Sequence, residues 1–195
     1  GCPVYDMYGT HESGMGSFEC QAQDGMHFME DCTFFEIVDT DDSRRRGVTI
    51  VVDYAHTPDG LERLLESARR VAGSTGSLTV VFGCGGNRDR AKRPTMGAVA
   101  SRHADRVVVT SDNPRSEGPS TIIDEIVKGI DADSLSTVVT DVDRRAAIGG
   151  AIASAGPGDV VVIAGKGHET TQEFDDHTIE FDDRAVAREC LEARS

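Results

Sequence analysis

The stretch "GVTIVVDYAHTPDGLERLLESARRVAGSTGSLTVVFG", residues 47–83, decides the fold class. Short β-branched runs stand at its two ends. Between them, apolar residues recur at the spacing of a helix with one apolar face: Leu61, Leu64, Leu65, Ala68 and Val71. Thr57 is the expected N-cap of that helix and Pro58 its first residue. Short strands that are apolar throughout are typical of parallel sheets buried on both faces. The stretch therefore predicts a strand, a helix and a second, parallel strand.

The same alternation continues towards the end of the chain. Apolar runs follow at "RVVVTS", "STVVT" and "DVVVIAG", with an isoleucine-rich amphipathic segment at residues 122–130. Right-handed crossovers between such strands leave few arrangements, so the prediction is an α/β fold: a Rossmann-like open, mostly parallel sheet of five or more strands flanked by helices. "ETTQEFDDHTIEF" predicts a short hairpin around Asp175 and Asp176, and a last helix is expected from about residue 182 to 193.

The first 46 residues lack this order. They are rich in glycine and methionine and show no clear periodicity, so they predict no fold of their own. Near their end, "FFEIV" and the following "VTIVV" are separated by the polar "DTDDSRRRG", which predicts a hairpin leading into the sheet. We therefore divide the chain into an N-terminal extension, residues 1–46, and a domain at residues 47–195.

The composition limits the kinds of partner. Asp and Glu number 34 against 20 Lys and Arg, and a net charge of −14 argues against nucleic acid as the main partner. No run approaches the roughly 18 apolar residues of a membrane span, and no charged-then-apolar leader opens the chain. A cytoplasmic protein without membrane insertion is expected. The five cysteines are scattered without a C-x-x-C pair and indicate neither a disulfide framework nor a zinc site.

Four polar motifs each follow a predicted strand. In open α/β sheets the ligand crevice lies at the carboxyl ends of the strands, so we expect the motifs to share one site. Because the chain as a whole is acidic, an anionic ligand there must be held by local positive groups. The motifs are "DYAHTPD" (53–59), "GCGGNRDRAKRP" (83–94), "DNPR" (112–115) and "GKGHE" (165–169).

Each motif alone has a structural explanation. "GCGGNR" is explained by a tight turn, and it misses the dinucleotide fingerprint because Arg88 stands where the third glycine should be. "GKGHE" departs from a phosphate loop because Gly167, not Ser or Thr, follows Lys166. An Asx turn accounts for "DNPR", and ordinary structural hydrogen bonds account for His56 and His168.

Taken in order, longer segments resemble the C-terminal domain of the Mur ligases, the ATP-dependent amide-forming enzymes of peptidoglycan synthesis. Within the family they resemble the branch that adds the third residue of the stem peptide. The resemblance covers about residues 47–193 and implies one third of an enzyme, with the family's UDP-sugar-binding N-terminal domain and central ATPase domain expected in a parent protein. The segments are "VVDYAHTPDGLERLL", "VFGCGGNRDRAKRPTMG", "VTSDNPRSEGP", "DRRAAI", "AGKGHET" and "FDDRAVARE".

The resemblance also implies a reaction. ATP phosphorylates the D-Glu carboxylate of UDP-MurNAc-L-Ala-D-Glu, and the amine of a diamino acid then attacks the acyl phosphate. ATP and Mg²⁺ would be held mainly by the central domain, so the chain alone is expected to be inactive. "DNPR" resembles the signature of family members that take meso-diaminopimelate, whose distal end carries a carboxylate and an amine.

The implied site residues come from the same motifs. An arginine forms paired charge-assisted hydrogen bonds with a carboxylate, which suits the distal end of the diamino acid. The distal ammonium would go to a backbone carbonyl and a carboxylate. The residues expected at the diamino acid are Arg88, Asp112, Asn113, Arg115, Gly165 and Glu169, and those expected at the nucleotide are Asp53 and His56; no metal ligand and no catalytic side chain is assigned.

Two other functions stay open. One is an isolated module that binds an amino acid or a nucleotide and catalyses nothing. The other is a different ligase of the same superfamily, of the folate polyglutamate or cyanophycin type, against which "DNPR" stands together with "GKGHE".

Overall fold

The computed structural model describes residues 7–10, 14–19, 26–28 and 33–38 as strands and residues 47–194 throughout. In the part so described, no helix has the length and apolar content to cross a membrane. The strands are β1 (Met7–Thr10), β2 (Gly14–Glu19), β3 (Met26–Phe28), β4 (Thr33–Val38), β5 (Val48–Asp53), β6 (Leu78–Phe82), β7 (Arg106–Thr110), β8 (Thr137–Asp141), β9 (Val160–Ala164), β10 (Thr171–Glu173) and β11 (Thr178–Glu180). The helices are α1 (Pro58–Ala72), α2 (Lys92–His103), α3 (Pro119–Val127), α4 (Arg144–Ser154) and α5 (Asp183–Glu192).

Six strands form the main sheet, in the order β4-β5-β9-β6-β7-β8. The five strands from β5 to β8 in this order are parallel to one another, which confirms the predicted fold class. Strand β4 pairs antiparallel with β5, as expected for the hairpin that leads into the sheet. The sheet thus begins before residue 47, and the division of the chain into two domains at that point stays a prediction.

Two smaller sheets accompany the main one. Strands β10 and β11 form the predicted hairpin, with Asp175 and Asp176 in its turn. Strands β1, β2 and β3 form a three-stranded antiparallel sheet in the segment for which the sequence predicted no fold. A register shift between Tyr8 and Gly9 interrupts this sheet. Short strands with such a shift lack a sustained two-residue period, which is why the sequence pattern missed them.

The main sheet is covered on both faces. Successive strand residues point to opposite faces. Val80 and Phe82 of β6 belong to one apolar core with α1, α2 and α3, whereas Val81 belongs to a second core with α4 and α5. Strands β6 and β9 are therefore buried along their whole length and β7 after its first residue, which explains their apolar runs. The edge strand β8 is exposed or half-buried throughout, so the expectation that "STVVT" is buried on both faces was wrong.

Helix α1 follows the sequence prediction closely. The Thr57 hydroxyl accepts a hydrogen bond from the Gly60 amide at 3.2 Å, which confirms Thr57 as N-cap. Leu61 and Leu65 are fully buried. The sequence prediction placed Val71 on the buried face, but Val71 is 41% exposed. Ala72 takes that place, because it falls on the stripe of residues that continues from Leu61 and Leu65.

A buried ion pair joins the second core to one edge of the sheet. Arg144, at the start of α4, bonds both carboxylate oxygens of Asp183 at 2.8 and 2.7 Å, and both side chains are fully buried. Its remaining bonds go to the carbonyls of Ser111 at 3.2 Å and Ala164 at 3.0 Å. These carbonyls immediately precede "DNPR" and "GKGHE". Arg144 therefore holds the ends of β7 and β9 together.

Replacing Arg144 by alanine is expected to lower the free energy of unfolding by about 3–5 kcal/mol, because the Asp183 carboxylate stays buried without its partner. Arg145→Ala is the matched control, since Arg145 and its partner Glu189 are both largely exposed and the loss there stays within about 1 kcal/mol. Denaturant unfolding of both variants measures the difference. Equal losses would show that the buried pair does not hold the layers together.

Candidate functional site

The four polar motifs lie along the carboxyl edge of the parallel strands. Strand β5 ends at Asp53, β6 at Phe82, β7 at Thr110 and β9 at Ala164, and each is followed directly by one motif. Parallel strands bring these ends to one side of the sheet. The loops expected to share a site therefore meet there.

Asn113 lies at the centre of this edge and is 5% exposed. Its Nδ2 donates to Glu169 Oε2 at 2.9 Å. Its Oδ1 accepts from Lys166 Nζ at 3.0 Å and from the Glu173 amide at 3.1 Å. Lys166 Nζ also donates to Glu169 Oε2 at 3.1 Å. One polar cluster thus joins "DNPR", "GKGHE" and the β10–β11 hairpin.

Arg115 is held from several sides. Its Nε lies 2.8 Å from Glu173 Oε2, and its Nη1 donates to the Gly86 carbonyl at 3.0 Å. Its backbone amide donates to the Glu173 carbonyl at 3.1 Å. Arg115 has a φ of 52°, a left-handed conformation that a non-glycine residue keeps only when its surroundings enforce it. The guanidinium is therefore fixed, and no group among the described residues accepts from Nη2.

The glycine-rich loop after β6 is locked to the "DNPR" loop. The Gly86 amide donates to the Asn113 carbonyl at 2.8 Å. A Cβ on Gly86 would lie 1.8 Å from the Pro114 carbonyl oxygen, so only glycine permits this approach. Asn87 and Ser116 exchange further bonds, including Asn87 Nδ2 to Ser116 Oγ at 2.9 Å. The two loops form one rigid unit.

Arg88 lies on the exposed side of this unit. Its Cγ would be 3.5 Å from a Cβ placed on Gly85, and Arg115 Nη1 would be 3.1 Å from the same point. The two arginines expected at the diamino acid are therefore neighbours across Gly85.

A second ion-pair cluster, centred on Arg93 of α2, bonds to the backbone of the glycine-rich loop. Arg93 is fully buried and binds Glu117 in a fork, at 2.8 and 2.9 Å. It also donates to Glu125 at 2.7 Å and to the Gly85 carbonyl at 3.2 Å. Glu117 accepts the Asn87 amide at 2.6 Å. The Arg93 fork, and then the Asn87 amide, hold the pKa of Glu117 at about 2.

Gly165 and Asp112 are packed against each other. Gly165 has a φ of 112°, and a Cβ there would lie 2.7 Å from Asp112 Oδ2. The Gly165 amide donates to the Asp53 carbonyl at 3.1 Å. Asp112 is 7% exposed, and its own carbonyl accepts Gln172 Nε2 at 2.7 Å. This packing sets the turn that leads from β9 to Glu169.

The two residues expected at the nucleotide lie after β5. Asp53 Oδ1 accepts the Ala55 amide at 2.7 Å. His56 is exposed, with its Nδ1 3.0 Å from the Tyr54 carbonyl oxygen and its ring 4.7 Å from the Tyr54 ring. The His168 ring lies 5.4 Å from Tyr54 on the same side. Three rings from two motifs form an accessible aromatic surface here.

Nucleophilic and metal chemistry find little support at this edge. Cys84, in the glycine-rich loop, is 2% exposed, and burial raises the pKa of its thiol to about 12, so it stays protonated. Within residues 47–194 and the described strands before them, no three His, Cys, Asp or Glu side chains are grouped as metal ligands. The described residues instead offer fixed charges that bind and orient.

Sequence analysis missed two residues that hold the site, Glu117 and Glu173, and the contact that Lys166 makes. The sequence left open that Lys166 holds its loop in shape, but its partner Asn113 lies 53 positions away. Glu117 binds Arg93 across 24 positions. Hydrogen bonds over such separations leave no mark in local spacing. The only available signal was a charged residue placed between two glycines directly after a buried strand.

The fold and the edge together define an open α/β domain whose polar loops are gathered at the carboxyl edge of a mostly parallel sheet. The family model described as "Mur ligase, glutamate ligase domain" matches residues 35–167. The match covers more than half of the sequence, so the chain belongs to the Mur ligase family. This confirms the resemblance found in the sequence motifs.

Two curated relatives are UDP-N-acetylmuramoyl-L-alanyl-D-glutamate–2,6-diaminopimelate ligases. The protein of Thermosynechococcus vestitus is 55% identical over 147 residues and that of Synechococcus elongatus 57% over 146, each match covering 75% of this chain and 29% of the relative. A solved structure of a ligase of the same name is 41% identical with a TM-score of 0.72, covering 82% of this chain and 31% of that one. The chain therefore spans less than a third of the length of these proteins.

Glu117→Gln is expected to lower the free energy of unfolding by about 1–2 kcal/mol near neutral pH, because an amide bonds the Arg93 guanidinium more weakly than a carboxylate does. The pKa of Glu117 is about 2 in the folded protein against an ordinary value of 4.5. Its contribution is therefore complete above pH 4.5 and is lost as the pH falls towards 2. Wild type and variant should differ most near neutral pH and least at the acid end.

Urea unfolding near neutral pH and at about pH 3 measures this difference. Glu66→Gln, on the exposed face of α1, is the control and should change stability little at either pH. A Glu117→Gln effect that does not shrink in acid would contradict the assigned ion pair.

Proposed function

We propose that this chain is the C-terminal domain of an ATP-dependent ligase that adds meso-diaminopimelate to UDP-MurNAc-L-Ala-D-Glu in peptidoglycan synthesis. Its part in the reaction is to hold the diamino acid. The observation that carries the proposal is the cluster at the carboxyl edge in which Asn113 donates to Glu169 and the positive charge of Arg115 acts on the same carboxylate. Relatives more than half identical to the chain are named for this substrate.

The cluster suits the distal end of diaminopimelate. That end carries a carboxylate and an ammonium group on one carbon, so its receptor needs adjacent groups of both signs. Arg115, joined by Arg88 across Gly85, provides the positive side, and an arginine can bond a carboxylate in a fork. Glu169 and the carbonyl of Gly165 provide the negative side. Lysine has only the ammonium and offers the two arginines no distal carboxylate to bind.

Asn113 and Asp112 complete the diamino acid site. Asn113 lies between the positive and negative sides of the site and donates hydrogen bonds from there. Asp112 is buried against Gly165 and supports the turn that presents Glu169. In this proposal Asp112 shapes the site, whereas Asn113 contacts the ligand.

The nucleotide lies on the other side of the edge in this proposal. Asp53 faces its ribose or phosphates, and His56, with the neighbouring Tyr54 ring, faces the base. When bound, ATP would supply the phosphoryl group that activates the D-Glu carboxylate, with Mg²⁺ neutralising its charge, and the family's central domain would hold most of both. Such phosphoryl transfer depends on positioning and on charge neutralisation. The domain at residues 47–195 positions the amine of the diamino acid.

The 195-residue chain by itself is expected to release no phosphate from ATP with magnesium, UDP-MurNAc-dipeptide and diaminopimelate, because phosphate binding falls to the central domain. A chimera in which residues 33–194 replace the matching segment of the Thermosynechococcus vestitus ligase should be active. Phosphate release measures both. Turnover by the chain alone at about 1 per second or more would contradict the proposal, and so would an inactive, folded chimera.

In the chimera, Arg115→Ala is expected to reduce kcat/KM for diaminopimelate by about 30- to 4000-fold, which corresponds to roughly 2–5 kcal/mol for the loss of one partner of a hydrogen-bonded charge pair. Use of lysine should fall much less, because lysine has no distal carboxylate to lose. Steady-state kinetics with both amino acids measure the ratio.

Arg102→Ala, on the exposed face of α2, is the matched control and should leave both values unchanged. Equal losses for the two amino acids in Arg115→Ala would mean that Arg115 only shapes its loop. The Asx-turn explanation of "DNPR" would then stand.

A further inference from the structure

Lys166 is a fully buried cation that the proposed function leaves without a role. An ammonium group out of water is costly unless other groups compensate its charge and its hydrogen bonds. Here the compensating groups are Asn113 Oδ1 at 3.0 Å and Glu169 Oε2 at 3.1 Å. Both belong to the residues proposed to contact the diamino acid. Because the Lys166 ammonium bonds Asn113 and Glu169, its charge affects how these two residues bind a ligand.

The contacts of Asn113 determine which way its amide faces. Oδ1 receives two groups that can only donate, the Lys166 ammonium and the Glu173 backbone amide. An oxygen with two lone pairs is thereby filled, and the NH₂ group must be the part that faces Glu169. Asn113 consequently offers a ligand only hydrogen-bond donors. Such a group can donate a hydrogen bond to a carboxylate, but it has no acceptor for the N–H groups of an ammonium.

Lys166 also makes the two carboxylate oxygens of Glu169 different from each other. The bonds from Lys166 and Asn113 both end on Oε2. Within the described part of the chain no hydrogen-bond donor reaches Oε1. That oxygen is left to accept from a ligand, and a carboxylate oxygen suits an ammonium and repels another carboxylate.

Charges from several elements surround Glu169. Lys166 belongs to its own loop, Arg115 follows β7, and Arg144 comes from α4; Glu173 on β10 pairs with Arg115. Burial alone would raise the pKa of the Glu169 carboxyl. The hydrogen bonds from Asn113 and Lys166, with the charges of Lys166 and Arg115, outweigh it and hold the pKa below its usual value.

We propose that Lys166 is a positioning residue that sorts the two ends of the ligand's distal amino-acid group, without touching the ligand. By filling Asn113 Oδ1 and holding Glu169 Oε2, it makes Asn113 a subsite for the carboxylate and Glu169 a subsite for the ammonium. This role rests on the proposed binding of a diamino acid. Three fixed points then surround one carbon: carboxylate, ammonium and the carbon chain. Such a site distinguishes the two configurations of that carbon, so it selects between meso- and L,L-diaminopimelate.

The test uses the full 195-residue chain, which contains three lysines. Lys166→Met keeps the length of the buried stem and removes the charge. Lys128→Met, at the exposed end of α3, is the matched control. The measurements are the titration midpoint of the Glu169 carboxyl carbon by NMR and the dissociation constants of meso- and L,L-diaminopimelate from NMR titrations. Circular dichroism checks that each variant is folded.

In Lys166→Met the Glu169 midpoint should rise, and the preference for the meso isomer should fall by about tenfold, the effect of one charge-assisted hydrogen bond. Weaker binding in acid than near neutral pH should accompany this change, because a protonated Glu169 cannot accept the ammonium. Lys128→Met should match wild type in all three measurements. A variant that kept the wild-type midpoint and preference would overturn the sorting role while the proposed function stood. Wild-type protein that binds neither isomer would overturn both the sorting role and the proposed function.

A measurement on unsubstituted protein covers the case in which Lys166→Met does not fold. With ¹⁵N-labelled lysine and asparagine, the Lys166 ammonium should exchange its protons far more slowly than that of Lys128. Adding meso-diaminopimelate should shift the Asn113 side-chain NH₂ signal and leave Lys166 protected. Exchange of Lys166 as fast as that of Lys128, or loss of its protection on binding, would contradict the proposal.

Discussion

The guanidinium of Arg144 is the contact on which the arrangement of the site depends. It binds Asp183 between the two helices of the second core and, with its remaining donors, the carbonyls that end β7 and β9. Those carbonyls precede the residues that carry Asn113 and Lys166. A buried charge of this kind tolerates little displacement, because every donor that leaves its acceptor stays unpaired in the interior. The packing of α4 and α5 is thereby coupled to the spacing of two binding loops.

Much of the architecture could be predicted from the sequence, and the reasons are local. Uniformly apolar runs such as that of β9 are typical of strands covered on both faces, and Leu61 and Leu65 show the period of a one-sided helix. The location of the site also followed from topology, because parallel strands bring their ends together. The short strands β1, β2 and β3 escaped prediction, since their segment has no sustained period.

The hydrogen bonds and ion pairs within the site could not be predicted in this way. The bonds from Lys166 to Asn113 and from Arg93 to Glu117 join positions 53 and 24 residues apart, and nothing in the intervening sequence marks them. They also change how the site acts electrostatically. Arg93, Arg115 and Lys166 each have a carboxylate of the protein as partner, so each of these cations is held at a fixed position along the edge.

The contact of Gly86 with Pro114 bears on how the domain can move. The two loops approach until only a hydrogen atom separates them, and bonds on both sides of the contact tie them together. Neither loop can swing away alone without breaking the buried bond between the Gly86 amide and the Asn113 carbonyl. Any displacement of this edge must therefore carry both loops together with the α/β body to which they are attached.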